Sequence, residues 1–218
     1  MPVSSLPGKY GIGSFGKSAS DFIDFLDATG QKCWQVLPLN PTSYGDSPYQ
    51  SPASVAGNPY FIDLEELIRE GLLTAEECDS ADFGQYRDDI DYQAIYNSRY
   101  SLLRKAYQRS DISRNPEYRR FLEENRWWLD DYALFMSVRE FFGGKGWTQW
   151  PEDIRMHYGF ALDYYREKLY FDIEFQQYLQ FKFFQQWLKL KKYANDRGIQ
   201  IIGDMPIYVA MDSADVWA

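Results

Sequence analysis

The sequence predicts an α/β fold built on a parallel sheet, and three observations carry that reading. Residues 1–6 read as a short strand, 33–39 as a compact apolar strand and 199–204 as a buried strand ending in an acid. A helical pattern lies between the first two, giving the strand, helix, strand order of a βαβ unit, which implies parallel pairing. The third segment follows the longest helical pattern of the chain, and a mostly helical stretch separates it from the second.

Each element has a local reason. Residues 1–6 run straight into a glycine-rich loop, Pro7-Gly8-Lys9-Tyr10-Gly11-Ile12-Gly13. Ser18 or Ser20 is placed to cap a helix reaching about Ala28, with Phe22, Phe25 and Leu26 at i, i+3 and i+4 as its buried face. Gly30 stops it. After strand 33–39 and a polar loop, Asn58-Pro59-Tyr60-Phe61-Ile62-Asp63 leads into a helix at 64–70, and Thr74-Ala75-Glu76-Glu77 reads as a capping box. Residues 80–95, acidic and Tyr-rich, read as a loop. Helices are expected at 96–107, 116–124 and 127–142, the last broken by Gly143-Gly144. Another is expected at 174–195, with Phe175, Tyr178, Leu179, Phe183, Trp187, Leu188 and Leu190 in a helical stripe. Gly198 closes it. The strand at 199–204 ends in Asp204, and Asp212 reads as the N-cap of a further helix with Asp215 in its first turn.

Composition narrows the function. The 218 residues carry a formal net charge of -9, which argues against nucleic acid and anionic membranes as partners. No apolar run is long enough to cross a bilayer, and no signal peptide is visible. Cys33 and Cys78 have no framework spacing and read as reduced thiols of a cytoplasmic protein. With the single histidine, His157, they form no zinc constellation. Aromatics make up 18% of the chain, enough for a core and for a carbohydrate cleft.

In parallel α/β folds, ligands bind beyond the carboxyl ends of the strands. Three loops qualify: 7–16, 40–52 and 204–215. The second holds Tyr44-Gly45-Asp46-Ser47-Pro48-Tyr49-Gln50-Ser51. Tyrosine rings can lie against a sugar face while Asp and Gln groups bond its hydroxyls. The same residue types also make ordinary surface turns. Asp204, directly after an apolar strand, is a further candidate; its alternative is a structural acid bonded to backbone amides. Asp212 and Asp215 are better explained by their helix. Gly11-x-Gly13-x-x-Gly16 matches a dinucleotide fingerprint superficially, without a full strand before it or a ribose-binding acid after it. His157 reads as structural or exposed.

The residues resemble the 4-α-glucanotransferases, called amylomaltase in bacteria and disproportionating enzyme in plants. The matching segments run in order: Ser4-Ser5-Leu6-Pro7-Gly8-x-Tyr10-Gly11-Ile12-Gly13, Trp34-Gln35-Val36-Leu37-Pro38-Leu39 and the Tyr44 to Ser51 loop. Then come Ala56-Gly57-Asn58-Pro59, Trp147-x-x-Trp150-Pro151, Gly203-Asp204-Met205-Pro206-Ile207-Tyr208-Val209-Ala210 and Asp212-Ser213-Ala214-Asp215-Val216-Trp217. The resemblance implies the N-terminal part of a (β/α)8 TIM barrel of about three strands with a large helical insertion. Residues 1–63 would hold strands 1 and 2 and the sugar loop, 64–172 the insertion, and 173–218 a barrel helix, strand 3 and its loop. It implies transfer of α-1,4-glucan segments between maltooligosaccharides by retaining double displacement, without metal or cofactor. Substrate contacts carry over to Tyr44, Asp46, Ser47, Tyr49, Gln50 and Asp204. The family's nucleophilic Asp, acid/base Glu and transition-state Asp match nothing in these residues, so no catalytic residue is assigned. The chain alone is expected to be inactive and prone to aggregate. Two alternatives remain: a non-catalytic α-glucan-binding protein, and a nucleotide-binding domain resting on the glycine pattern.

Overall fold

The computed structural model describes residues 1–43, 45–84 and 89–218. The described residues are mostly helical, with a small parallel sheet. They form two compact units. The first comprises Met1–Leu39, Asn58–Ile112 and Lys182–Met205, and the second Asn40–Gly57, Ser113–Phe181 and Pro206–Ala218.

In the first unit, helix α1 (Lys17–Ala28) precedes strand β1 (Cys33–Gln35). Helices α2 (Leu64–Arg69), α3 (Ala75–Asp79) and α4 (Tyr92–Arg109) follow. The expected capping box at Thr74 and Glu77 is present. Arg109, then the Thr74 amide, hold the Glu77 carboxyl down at about 2. The sheet is completed by β2 (Gln200–Ile202), paired parallel to β1 in the register Cys33↔Gln200, Trp34↔Ile201, Gln35↔Ile202. Trp34 is buried, donates its indole N–H to the Met1 carbonyl at 2.7 Å, and meets the Phe22 ring edge-on. Cys33 is exposed, whereas Cys78 is buried, and burial followed by the neighbouring Asp79 and Glu77 carboxylates pushes its thiol up.

Several expectations are corrected. The strand expected at 1–6 is a 3-10 turn at Val3–Ser5, so among the described residues the sheet has two strands. Pro2 and Pro7 bracket the segment and cannot donate ladder bonds. The amides of Ser5 and Leu6 go instead to the carbonyls of Pro2 and Val3. The buried side chains, Val3 and Leu6, are three apart, which is turn spacing rather than strand alternation. Strand β1 is shorter than 33–39 because Pro38 cannot donate to a ladder. Gly16, not Ser18 or Ser20, caps α1, whose buried residues are Ala19, Ile23 and Leu26, while Phe25 is exposed.

The glycine spacing at 11, 13 and 16 serves packing. A Cβ on Gly13 would lie 1.9 Å from the Val3 carbonyl oxygen, and one on Gly16 would lie 2.0 Å from Asp63 Oδ2. Asp63 caps α2 and accepts the Ser14 hydroxyl at 2.7 Å. Gln186 clasps the Asp63 backbone through both amide atoms. Arg99, buried, donates to the carbonyls of Tyr10 and Ile62, and loss of water brings its guanidinium down to about 10.

The second unit contains α5 (Pro116–Phe141), α6 (Glu152–Arg155), α7 (Gly159–Lys168) and α9 (Ala214–Trp217). Helix α8 (Tyr170–Asp196) gives its first part to this unit and its second to the other. Helix α5 is continuous where a break was expected near residue 125. No Gly or Pro lies there, and Asn125 bonds back to the Phe121 carbonyl within the helix. It starts on an Asn115 cap with Pro116 in the first turn and stops before Gly143 and Gly144, both at positive φ. The core gathers Phe135, Phe142, Trp150 and Trp217, and Trp217 donates to the Ile154 carbonyl at 3.2 Å. His157 packs on Trp217 with centroids 4.0 Å apart, a structural role.

Candidate functional site

The Asn40–Gly57 segment is a loop built by its own polar groups. Asn40 opens it, with Nδ2 within hydrogen-bond distance of the Ala53, Ser54 and Ala56 carbonyls at 3.3, 2.8 and 3.1 Å. Inside it, Ser43 N–H reaches the Gln50 carbonyl, Asp46 N–H the Ser43 carbonyl and Gln50 N–H the Ser47 carbonyl, all at 3.0–3.1 Å. The Ser51 hydroxyl donates to the Ala53 carbonyl at 2.7 Å and accepts the Ala53 N–H. At the closing end, buried Gln180 accepts the Gly57 N–H at 2.7 Å and donates to the Gly57 carbonyl at 2.9 Å.

Four predicted site residues sit together here. Asp46 is half-buried and left-handed, at φ 52°, a region that Asp tolerates better than most residues. Withdrawal from water raises its carboxyl above the ordinary value, and the bond from the Thr42 hydroxyl at 3.2 Å works against that rise. Ser47 Oγ accepts the Tyr49 N–H at 3.3 Å, so its hydroxyl shapes the turn. Tyr49 is 48% exposed and Gln50 is exposed. An aromatic ring, a carboxylate and an amide thus stand within five residues of one loop, a set suited to hydroxyl groups on an apolar face. Tyr44 lies outside the described residues.

Asp204 belongs to the first unit, two residues past β2, and is exposed. Its Oδ1 accepts the Met205 N–H at 2.8 Å. The residues after it are open to solvent, with Ile207 90% and Tyr208 82% exposed.

The remaining acids are supports. Asp212 is not the N-cap of α9; Ser213 holds that position. Asp212 instead accepts the Trp147 N–H at 3.0 Å and pairs with Arg139 at 3.2 Å. Asp215 stands in the first turn of α9, as expected, and accepts both the N–H and the hydroxyl of Ser54. Sequence reasoning missed Asn40, Arg139 and Gln180; Arg139 and Gln180 are polar residues within helical pattern and Asn40 a polar loop residue, and neither signal names a partner. Among the described residues, no group of three or more His, Cys, Asp and Glu could hold a metal ion. A cavity of about 440 Å³ in the first unit contains none of the predicted site residues. Its cations Lys17, Arg69 and Lys189 are all paired to carboxylates.

Comparison with known proteins identifies the relatives of this arrangement. The family described as 4-alpha-glucanotransferase, glycoside hydrolase 77, matches residues 1–218. This chain belongs to the 4-alpha-glucanotransferase family. It is 50% identical over 220 residues to the 4-alpha-glucanotransferase of Streptococcus pneumoniae, covering 100% of this chain and 44% of the relative. It is 47% identical to that of Clostridium butyricum, covering 45% of it. Among solved structures, amylomaltase from Streptococcus agalactiae in complex with acarbose superposes over 100% of this chain and 44% of its own, with TM-score 0.94 and 44% identity. The chain therefore spans under half the length of the family members it matches.

Proposed function

We propose that this chain carries the donor-side sugar contacts of a 4-α-glucanotransferase, which moves α-1,4-glucan segments between maltooligosaccharides through a covalent glycosyl-enzyme. The observation that supports it best is the match in sequence and backbone along the whole chain to an amylomaltase solved with acarbose. In this reading the Tyr49 ring lies on a glucose face, Asp46 and Gln50 bond hydroxyls beside it, and Ser47 holds the turn. Tyr44 and Asp204 contribute further contacts. Asp204 as the end of a barrel strand is supported by the parallel register of β1 and β2. Residues 1–63 and 173–218 would then belong to a (β/α)8 barrel, and 64–172 to its insertion. A reducing compartment, the cytoplasm, suits its two free thiols.

Retaining transfer needs a nucleophilic carboxylate and an acid/base carboxylate about 5–5.5 Å apart. Asp212 and Asp215 are held by Arg139, Trp147 and Ser54, which argues against their being that pair. The 218-residue chain alone is accordingly expected not to turn maltooligosaccharides over. The test joins this chain to the remaining length of the Clostridium butyricum relative and measures glucose release from maltotriose. Transfer by the hybrid, reduced but still measurable in Tyr49→Ala, supports the reading. A folded hybrid without transfer, beside an active intact relative, overturns it. Glucan binding by a folded chain whose hybrid stays inactive would favour the second reading, a non-catalytic glucan-binding protein.

A further inference from the structure

Two motifs have no task in that reading: Trp147-x-x-Trp150-Pro151 and Asp212-Ser213-Ala214-Asp215. The second unit joins them. Trp147 donates its backbone N–H to Asp212 Oδ1 at 3.0 Å and its indole N–H to the Met211 carbonyl at 2.7 Å. Arg139, in the last turn of α5, reaches Asp212 Oδ2 at 3.2 Å with only 19% of its side chain exposed. This end of the segment is therefore fixed to a long, packed helix by a charge-assisted pair and two hydrogen bonds.

The next turn of chain holds the sugar loop. The Ala214 N–H donates to the Pro52 carbonyl at 2.7 Å. Asp215 accepts the Ser54 N–H at 2.8 Å on Oδ2 and the Ser54 hydroxyl at 2.7 Å on Oδ1. Ser54 lies where the loop closes, since its carbonyl accepts from Asn40 at the loop's other end. Bonds thus run without interruption from Arg139 through Asp212, Ala214 and Asp215 to the base of the loop that presents Tyr49.

We propose that Asp212 and Asp215 are positioning residues: they brace the loop residues 45–50 against α5 and set where Tyr49 meets the glucan. This rests on the loop being a glucan contact. Both carboxylate oxygens of Asp215 bond one residue, which fixes direction as well as distance. Asp215 and Ser54 are exposed, so their bonds compete with water and add little to global stability. The effect belongs to placement, where a shift of about 1 Å can cost a hundredfold in rate.

The test has two readouts. On the hybrid protein, hydrogen exchange is followed at the Ser43 and Gln50 amides in Asp215→Ala and Arg139→Met. Faster exchange at both, with the α5 amides unchanged, is expected; unchanged exchange at Ser43 and Gln50 overturns the brace whether or not any hybrid turns over. On the hybrid enzyme, Asp215→Ala is expected to lower kcat/KM for maltotriose by roughly tenfold to a hundredfold. That loss should vanish in a Tyr49→Ala background, and Asp215→Asn, which keeps one acceptor for Ser54, should recover part of it. An equal loss in both backgrounds, or one that tracks Tm, means a merely structural pair and overturns the proposal. An inactive hybrid with faster loop exchange counts against the proposed function and leaves the brace standing.

Discussion

The Asn40–Gly57 loop and residues 203–209 both follow an apolar segment, and they hold their shape by different means. The first is closed by side chains bonded to backbone: Asn40 at one end, Ser51 within, Gln180 at the far end. The second shows large apolar side chains to solvent, and the Asp204 carboxylate turns to its own neighbour's amide. A loop that carries its own bonds keeps its polar groups aimed before any ligand arrives. An exposed apolar segment takes its order from whatever it meets.

The sharpest way to break that contrast is Gln180→Leu. It leaves the buried Gly57 N–H and carbonyl without their partner, and each stranded group costs about 1–3 kcal/mol. A loss of about 2–4 kcal/mol in urea unfolding is expected. A loss near zero would show that the closing end is held by something else.

Asp46 comes next. Asp46→Ala places an alanine at φ 52°, expected to cost about 1 kcal/mol, whereas Asp46→Asn, comfortable in that region, should cost nothing measurable. Titration separates this acid from Glu77. Asp46 has a raised folded value, so the folded chain holds that proton more tightly and gains stability as pH falls from above its folded value to its unfolded one. Asp46→Asn should remove that gain. Glu77, held at about 2, does the reverse: its contribution is complete above the ordinary carboxylate value and is lost as pH falls towards 2. Glu77→Gln should flatten that acid limb, and an unchanged limb would mean that the Arg109 pair contributes nothing.

Asp204→Asn has the smallest expected effect, within about 0.5 kcal/mol, because the side chain is exposed and an amide oxygen can replace its bond to Met205. Affinity for maltoheptaose in the hybrid should fall nonetheless. A marked drop in Tm would make Asp204 a structural acid.

The parallel pair was legible because Trp34 and Ile201 sit in short apolar runs separated by helical pattern, and the register sets them side by side. Strand lengths were less so. Pro38 stops the ladder, and Val3 and Leu6 fit a tight turn as well as a strand. The candidate loop stood out by its residue types. Its supports did not, because Trp147 and Asp212 lie 65 residues apart and Ser54 and Asp215 lie 161 apart. A local pattern says that Asp212 and Asp215 suit a helix start; only the folded chain says which amides they hold.

The two thiols of the first unit make it its own stopwatch. Iodoacetamide attacks thiolate, so in the folded chain it alkylates exposed Cys33 while Cys78, buried in α3 with its thiolate disfavoured, waits for that helix to come away. Mass spectra counting one label and then two would time that opening under native conditions. In Cys33→Ser the background label disappears, and every adduct marks one release of α3.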